Sequence, residues 1–156
     1  MINRQKIYYW KCDRPSAFYA LAEGSHKIEV AIMEDFIRPI LEKNFGPTTA
    51  PLRPGGGQGN HLTFIAENEG ITRFVRIENG PEGDDFMEIE ARVLSEVRKR
   101  GIPAPLVYLA DATRRDVPFA YQVLEYVAST DLNKLYKKGM LNIAPIASAI
   151  GSSMAT

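Results

Sequence analysis

The sequence predicts an α+β fold, an antiparallel β-sheet with a helix packed on it and an amphipathic helix in front. Three observations carry this. Residues 62–66 and 71–77 have strand composition and flank the turn Glu67-Asn68-Glu69-Gly70, the pattern of a hairpin. Residues 118–127 add a long β-run rich in aromatic and branched side chains. Two other stretches, 26–45 and 84–100, repeat apolar residues at helical spacing.

Length and charge bound the function. A chain of 156 residues predicts one domain with a modest core. Lysine plus arginine equals aspartate plus glutamate, 19 against 19, so no net charge steers the chain to nucleic acid or to an anionic membrane. The single Cys12 excludes an internal disulfide, and without a signal peptide or a long apolar run a cytoplasmic protein is expected. Two histidines and one cysteine, far apart, give no metal-site spacing.

In chain order, residues 6–12 form an aromatic stretch, expected to be a packed arm, in which Cys12 is a buried thiol rather than a nucleophile. Over 26–45 the positions Ile28, Ala31, Ile32, Phe36, Ile40 and Leu41 make a helical stripe, stopped by Gly46-Pro47. Residues 48–54 hold two prolines, which permits an edge strand and forbids a central one.

Then comes the loop Gly55-Gly56-Gly57-Gln58-Gly59-Asn60. Four glycines in five positions cost backbone entropy, and such a loop persists where backbone must approach a ligand, most often a phosphate. The order is neither GxGxxG nor a P-loop, and a strand follows it instead of a helix. A plain glycine-rich turn is the alternative.

In the second hairpin strand, alternation puts Ile71, Arg73, Val75 and Ile77 on one face and Thr72, Phe74 and Arg76 on the other. A mid-strand arginine among apolar neighbours needs an anionic partner, because an unpaired desolvated charge is costly. The following helix supplies a candidate. It opens at Gly83-Asp84-Asp85, with Asp85 and Glu88 spaced as a capping box, and closes at Arg98-Lys99-Arg100-Gly101. Phe86, Ile89, Val93, Leu94 and Val97 form an apolar arc with Glu90 inside it. Glu90 either reaches water at the helix edge or meets a buried cation. Beyond the stiff connector Gly101-Ile102-Pro103-Ala104-Pro105, residues 106–110 are strand-like, residues 132–138 a short helix, and residues 142–156 an almost uncharged helical tail that needs a burial partner.

The order of these pieces resembles the N-terminal lobe of the aminoglycoside phosphotransferase family, small-molecule kinases with a protein-kinase-like fold. The resemblance covers residues 48–156 and rests on the glycine loop, Phe74-Val75-Arg76-Ile77, Glu90-Ala91-Arg92-Val93-Leu94, the 101–105 connector and Tyr121-Gln122-Val123-Leu124-Glu125-Tyr126-Val127. It implies an arm and helix over 1–47, a nucleotide-binding lobe over 48–127, and a linker with the start of a C-terminal lobe over 128–156. Gly55, Gly56, Gly57, Gln58, Gly59 and Asn60 would cover the ATP phosphates. Arg76 would hold the α- and β-phosphates, fixed by Glu90. Leu124 would wall the adenine pocket, and backbone groups of Glu125 and Val127 would bond the adenine edge.

Departures from the family pattern also matter. Arginine at the strand site offers a planar fork rather than a point charge. Ala128-Ser129 stands where a glycine is common, and the two prolines weaken the usual first strand. The His-x-Asp catalytic loop, its following Asn and the metal-binding Asp are absent, and Asp111, Asp116 and Asp131 lie in the wrong context to replace them. This chain is therefore expected to bind nucleotide without catalysing transfer, with Mg and the small-molecule acceptor held by a missing C-terminal lobe. The alternative is a non-catalytic kinase-like module that binds a partner or forms a homodimer through its apolar helices. Exposure of Ile143, Ile146 and Ile150 favours the first expectation, and their burial the second.

Overall fold

The structure is a computed structural model and describes residues 26–55, 61–78, 86–130 and 132–155. The aromatic stretch 6–12 with Cys12, the loop residues Gly56, Gly57, Gln58, Gly59 and Asn60, the helix start Gly83-Asp84-Asp85 and Asp131 lie outside these residues.

The chain begins with helix α1 (His26–Phe45) and then forms the short strand β1 (Arg53–Pro54), the hairpin β2 (His61–Asn68) and β3 (Ile71–Glu78), and helix α2 (Phe86–Lys99). Strands β4 (Val107–Asp111) and β5 (Tyr121–Glu125) and helices α3 (Leu132–Lys137) and α4 (Ile143–Met154) complete it. The five strands form one sheet in the order β1-β2-β3-β5-β4, with every neighbouring pair antiparallel. The architecture is α+β. As the two prolines require, the first strand sits at an edge, where Pro54, lacking an N–H, faces Phe64.

Hairpin register follows from its turn. Glu69 and Gly70 both have positive φ, 50° and 76°, the conformation of the two-residue turn whose twist matches its strands. Asn68 therefore pairs with Ile71 and Thr63 with Arg76, which fixes the face of every side chain between them.

One face of the sheet carries the main core. Phe64 and Ala66 of β2, Val75 and Ile77 of β3, and Tyr121 and Val123 of β5 pack there with Met33, Ile37, Ile40 and Leu41 of α1. The buried helix face includes Ile40 and Leu41 of the expected stripe and adds Met33 and Ile37, while the side chains of Ile28, Ala31 and Ile32 lie outside the described residues. Met33, Ile37 and Leu41 are its deepest residues, while Phe36 lies at the margin, its ring edge-on to Phe119 at 5.9 Å. Both rows of this helix are apolar, and the row that goes deep is the one the sheet can cover. The exit of α1 is tied to the hairpin: buried Asn68 donates through Nδ2 to the Gly46 carbonyl at 3.0 Å and to Thr48 Oγ1 at 3.2 Å. Beside it, buried Arg73 donates to the Asn68 carbonyl at 3.2 Å and lies 4.3 Å over the Phe45 ring, a cation–π contact that seats the charge against an apolar wall.

Strand β5 is shorter than the run 118–127 that composition suggests. Pro118 offers no N–H to a ladder, and Val117 and Phe119 instead plug the core from the loop before the strand. At the other end Tyr126 and Val127 have left the sheet. The apolar arc of α2 requires a larger correction. Phe86, Ile89 and Val93 are 62 %, 52 % and 54 % exposed, and the helix buries Met87 and Ala91 instead. At 100° per residue the apolar band spans more than one face, and the sheet covers only the edge carrying Met87 and Ala91. Helix α4 has no buried residue; Ile143 and Ile150 are 67 % and 53 % exposed and Ile146 is half-buried.

Phe119→Ala should lower stability by about 3–5 kcal/mol, because it empties a fully buried aromatic site that the Phe36 ring cannot refill. A fall of that size in urea unfolding is the check. Burial, and then the Asp111 and Asp116 carboxylates, push the Tyr121 phenol up to about 12. Its folded value lies above the unfolded one, so the fold keeps this contribution below pH 10 and loses it between about pH 10 and 12. Tyr121→Phe should remove that part of the alkaline loss of stability.

Candidate functional site

The second face of the sheet holds the polar chemistry. The register that buries Val75 and Ile77 turns Phe74 and Arg76 the other way, together with Gln122 and Leu124, their partners on β5. Helix α2 covers one part of this face, with Met87 packed against Ala112 and Ala120. The uncovered part is a cleft of about 510 Å³, lined by Gly55, Phe74, Arg76, Pro105, Leu124, Glu125, Tyr126, Val127, Ser129 and Lys134. That volume suits a small organic molecule. A groove of about 560 Å³ between Ile102-Pro103 and α4 is larger, but of the residues lining it only Arg100 is charged.

Arg76 is the centre of the site. Its Nη1 donates to Glu90 Oε1 at 2.7 Å and to Gln122 Oε1 at 3.3 Å, and its Nη2 lies 3.2 Å from His61 Nδ1. The side chains of Arg76 and Glu90 are 19 % and 41 % exposed, so the pair sits at the rim of the packed region, where water screens part of its attraction. Orientation is its firmer contribution. Two acceptors on Nη1, one from α2 and one from β5, fix the plane of the guanidinium and leave it edged toward the cleft.

Gln122 is fully buried and joins the elements. Its Oε1 accepts from Arg76 and its Nε2 donates to the Met87 carbonyl, so one side chain ties β3, β5 and the first turn of α2. Periodicity does not reveal this residue, because within the β-run it occupies a position that any apolar side chain could fill. A lone polar residue between Tyr121 and Val123 is the available signal. His61 was equally hidden; its position directly after the glycine loop is the sequence feature that could have pointed to it.

The far end of the cleft is built on the chain leaving β5. The Glu125 N–H donates to the Leu106 carbonyl at 2.8 Å, and Glu125 Oε2 accepts from the Leu106 N–H at 2.9 Å. Arg98 at the end of α2 reaches Glu125 Oε2 at 3.5 Å and donates to the Ala104 carbonyl at 2.6 Å. Helix α2 is thus fastened at both ends of the cleft, by Glu90 to Arg76 and by Arg98 to Glu125.

Of the expected site residues, Gly55, Arg76, Leu124, Glu125 and Val127 line one cleft, and Glu90 stands behind Arg76. Gly55 has a structural reason to be glycine. A Cβ there would lie 2.7 Å from the Phe74 ring and 2.9 Å from Thr63 Oγ1, and the Gly55 N–H donates to the Thr63 carbonyl at 2.8 Å. Gly56, Gly57, Gln58, Gly59 and Asn60 lie outside the described residues. Among those described, no group of three His, Cys, Asp or Glu is placed to hold a metal ion, and no helix is long and apolar enough to cross a membrane.

No family model matches the chain, and no curated protein does. Among solved structures the chain is similar to a Ralstonia eutropha JMP134 protein provisionally named an aminoglycoside phosphotransferase, at TM-score 0.47 and 18% identity. The match covers 62% of this chain and 28% of that one.

The two acceptors of Arg76 should differ in what they contribute. Gln122→Leu should cost about 1–3 kcal/mol, since it removes one acceptor of Arg76 and the bond that ties the Met87 carbonyl of α2 to β5 in a dry layer. Glu90→Gln should cost at most about 1 kcal/mol, because the carboxylate is half in water. Equilibrium unfolding of the two variants gives the order; the reverse order would place the anchor of Arg76 on the helix.

Proposed function

We propose that this chain is the ATP-binding lobe of a small-molecule phosphotransferase. The supporting observation is the Arg76–Glu90 pair, 2.7 Å apart, at one end of a cleft whose other end is the Glu125-Tyr126-Val127 segment. A cation braced by a carboxylate at one end and an apolar wall with extended backbone at the other match the two halves of a nucleotide.

In this reading Phe74 and Leu124 flank the purine, and the backbone of Glu125 and Val127 meets its polar edge. The Glu125 N–H is engaged by Leu106, so its carbonyl is the group it would present, as an acceptor for an exocyclic amine. Guanidinium has five N–H donors. Glu90 and Gln122 occupy those of Nη1, and the remaining edge would take phosphate oxygens as a fork. Gly55 to Asn60 would add backbone donors above them. Bound ATP supplies the phosphoryl group; what the chain supplies is position.

Transfer needs more than this. It requires metal ions at the phosphates and a residue to orient the attacking hydroxyl. Neither His26 nor His61 is followed two residues later by aspartate, so the His-x-Asp element has no counterpart in this sequence. We assign Mg binding, acceptor binding and catalysis to a further lobe, which the exposed apolar residues of α4 would meet.

Comparison of ATP with adenosine separates the halves of the site. ATP should bind the chain more tightly than adenosine, and Arg76→Ala should weaken ATP by about tenfold to a hundredfold while leaving adenosine unchanged. Arg76→Lys should fall between, keeping the charge without the fork. Equal affinity for the two ligands, or ATP binding indifferent to Arg76→Ala, would remove the assignment.

A further inference from the structure

Arg76 has a third neighbour that the proposed function leaves unused. Thr63 lies opposite Arg76, so His61, two residues along β2, is its diagonal neighbour on the same face of the sheet. The contact is His61 Nδ1 to Arg76 Nη2, 3.2 Å. A guanidinium can only donate, so Nδ1 must be the acceptor. That requires a neutral imidazole with its hydrogen on Nε2.

We infer that His61 is a second phosphate-contact residue, converted from acceptor to donor by the nucleotide, with uptake of one proton. The inference rests on the nucleotide reading of the cleft. Nη2 belongs to the edge of Arg76 that the protein leaves for phosphate, and a phosphate oxygen arriving there competes with Nδ1 for the donor. The displaced imidazole then stands beside a multiply charged anion, which favours its charged form. A proton from solvent goes onto Nδ1, and Nδ1–H donates to a phosphate oxygen. No bond to phosphorus changes.

The surrounding charges set the direction. In the ligand-free chain Arg76 on β3 faces His61 directly and opposes a second positive charge, while Glu90 on α2 stands behind Arg76 and compensates it. Glu78 is the register partner of His61 across β3, and Gln122 on β5 is neutral. Phosphate adds negative charge on the open side. Protonation of His61 is therefore more favourable with phosphate present than without it, so affinity must rise as pH falls through the window between the two states.

Calorimetry of ATP binding to the full chain, in buffers of different ionisation enthalpy near neutral pH, counts the protons taken up. The wild type should take up more than His61→Gln, which keeps an acceptor for Arg76 but cannot titrate. Its affinity should strengthen by up to about tenfold per pH unit relative to that variant, a ratio in which ATP's own titration cancels. His61→Lys should bind ATP with no such pH slope, and His26→Gln, which removes the other histidine, should match the wild type. ATP binding with equal proton uptake and equal pH slope in wild type and His61→Gln would overturn the inference and leave the nucleotide reading intact. No ATP binding by the wild type would overturn both.

Discussion

The bond between Arg76 and its acceptors is the constraint on which the second face of the sheet depends. A guanidinium set in mid-strand among Phe74, Val75 and Ile77 is tolerable only with its donors satisfied. Glu90 and Gln122 satisfy them from a helix and a neighbouring strand. Because Gln122 also holds the Met87 carbonyl, satisfying Arg76 also fixes where α2 lies on the sheet. Helix position, strand pairing and the aim of Arg76 thus become a single problem with one arrangement that solves it. The cost is a helix whose more apolar side, at Phe86, Ile89 and Val93, is left exposed.

The other face stabilises the same strand pair chiefly by apolar packing. Phe64, Val75, Ile77 and Val123 form a dry layer against α1, and the buried cation Arg73 is held by aromatic faces and by the carbonyls of Asn68 and Ile71. Two arginines three residues apart therefore answer opposite demands. Arg73 is buried for good beneath Phe45 and Tyr108, whereas Arg76 keeps an edge toward a cleft. Strand alternation alone separates them.

Much of this was legible in the sequence, and for identifiable reasons. The hairpin announces itself through alternation around Glu69-Gly70, α1 through its period and its Gly46 stop, and the edge strand through its prolines. The pairing of Arg76 with Glu90 follows from charge in an apolar setting, since each residue taken alone lacks a partner. What stayed hidden depends on tertiary choice. Helix α2 has apolar residues around more than half its circumference, and the spacing does not say that Met87 and Ala91 go inward. Gln122 and His61 are polar residues whose meaning appears only when β2, β3 and β5 stand side by side. The roles of Arg98 and Glu125 likewise need the connector at Gly101-Ile102-Pro103-Ala104-Pro105 to fold back along β5.

Backbone chemical-shift mapping during an ATP titration locates the ligand on the sheet without presuming an activity. The perturbed resonances should include Gly55, Phe74, Arg76 and the segment Glu125 to Val127, with the core at Met33, Ile37 and Val75 unmoved. Perturbations confined to the groove between Ile102-Pro103 and α4, or none at millimolar ATP, would contradict the nucleotide reading of the cleft.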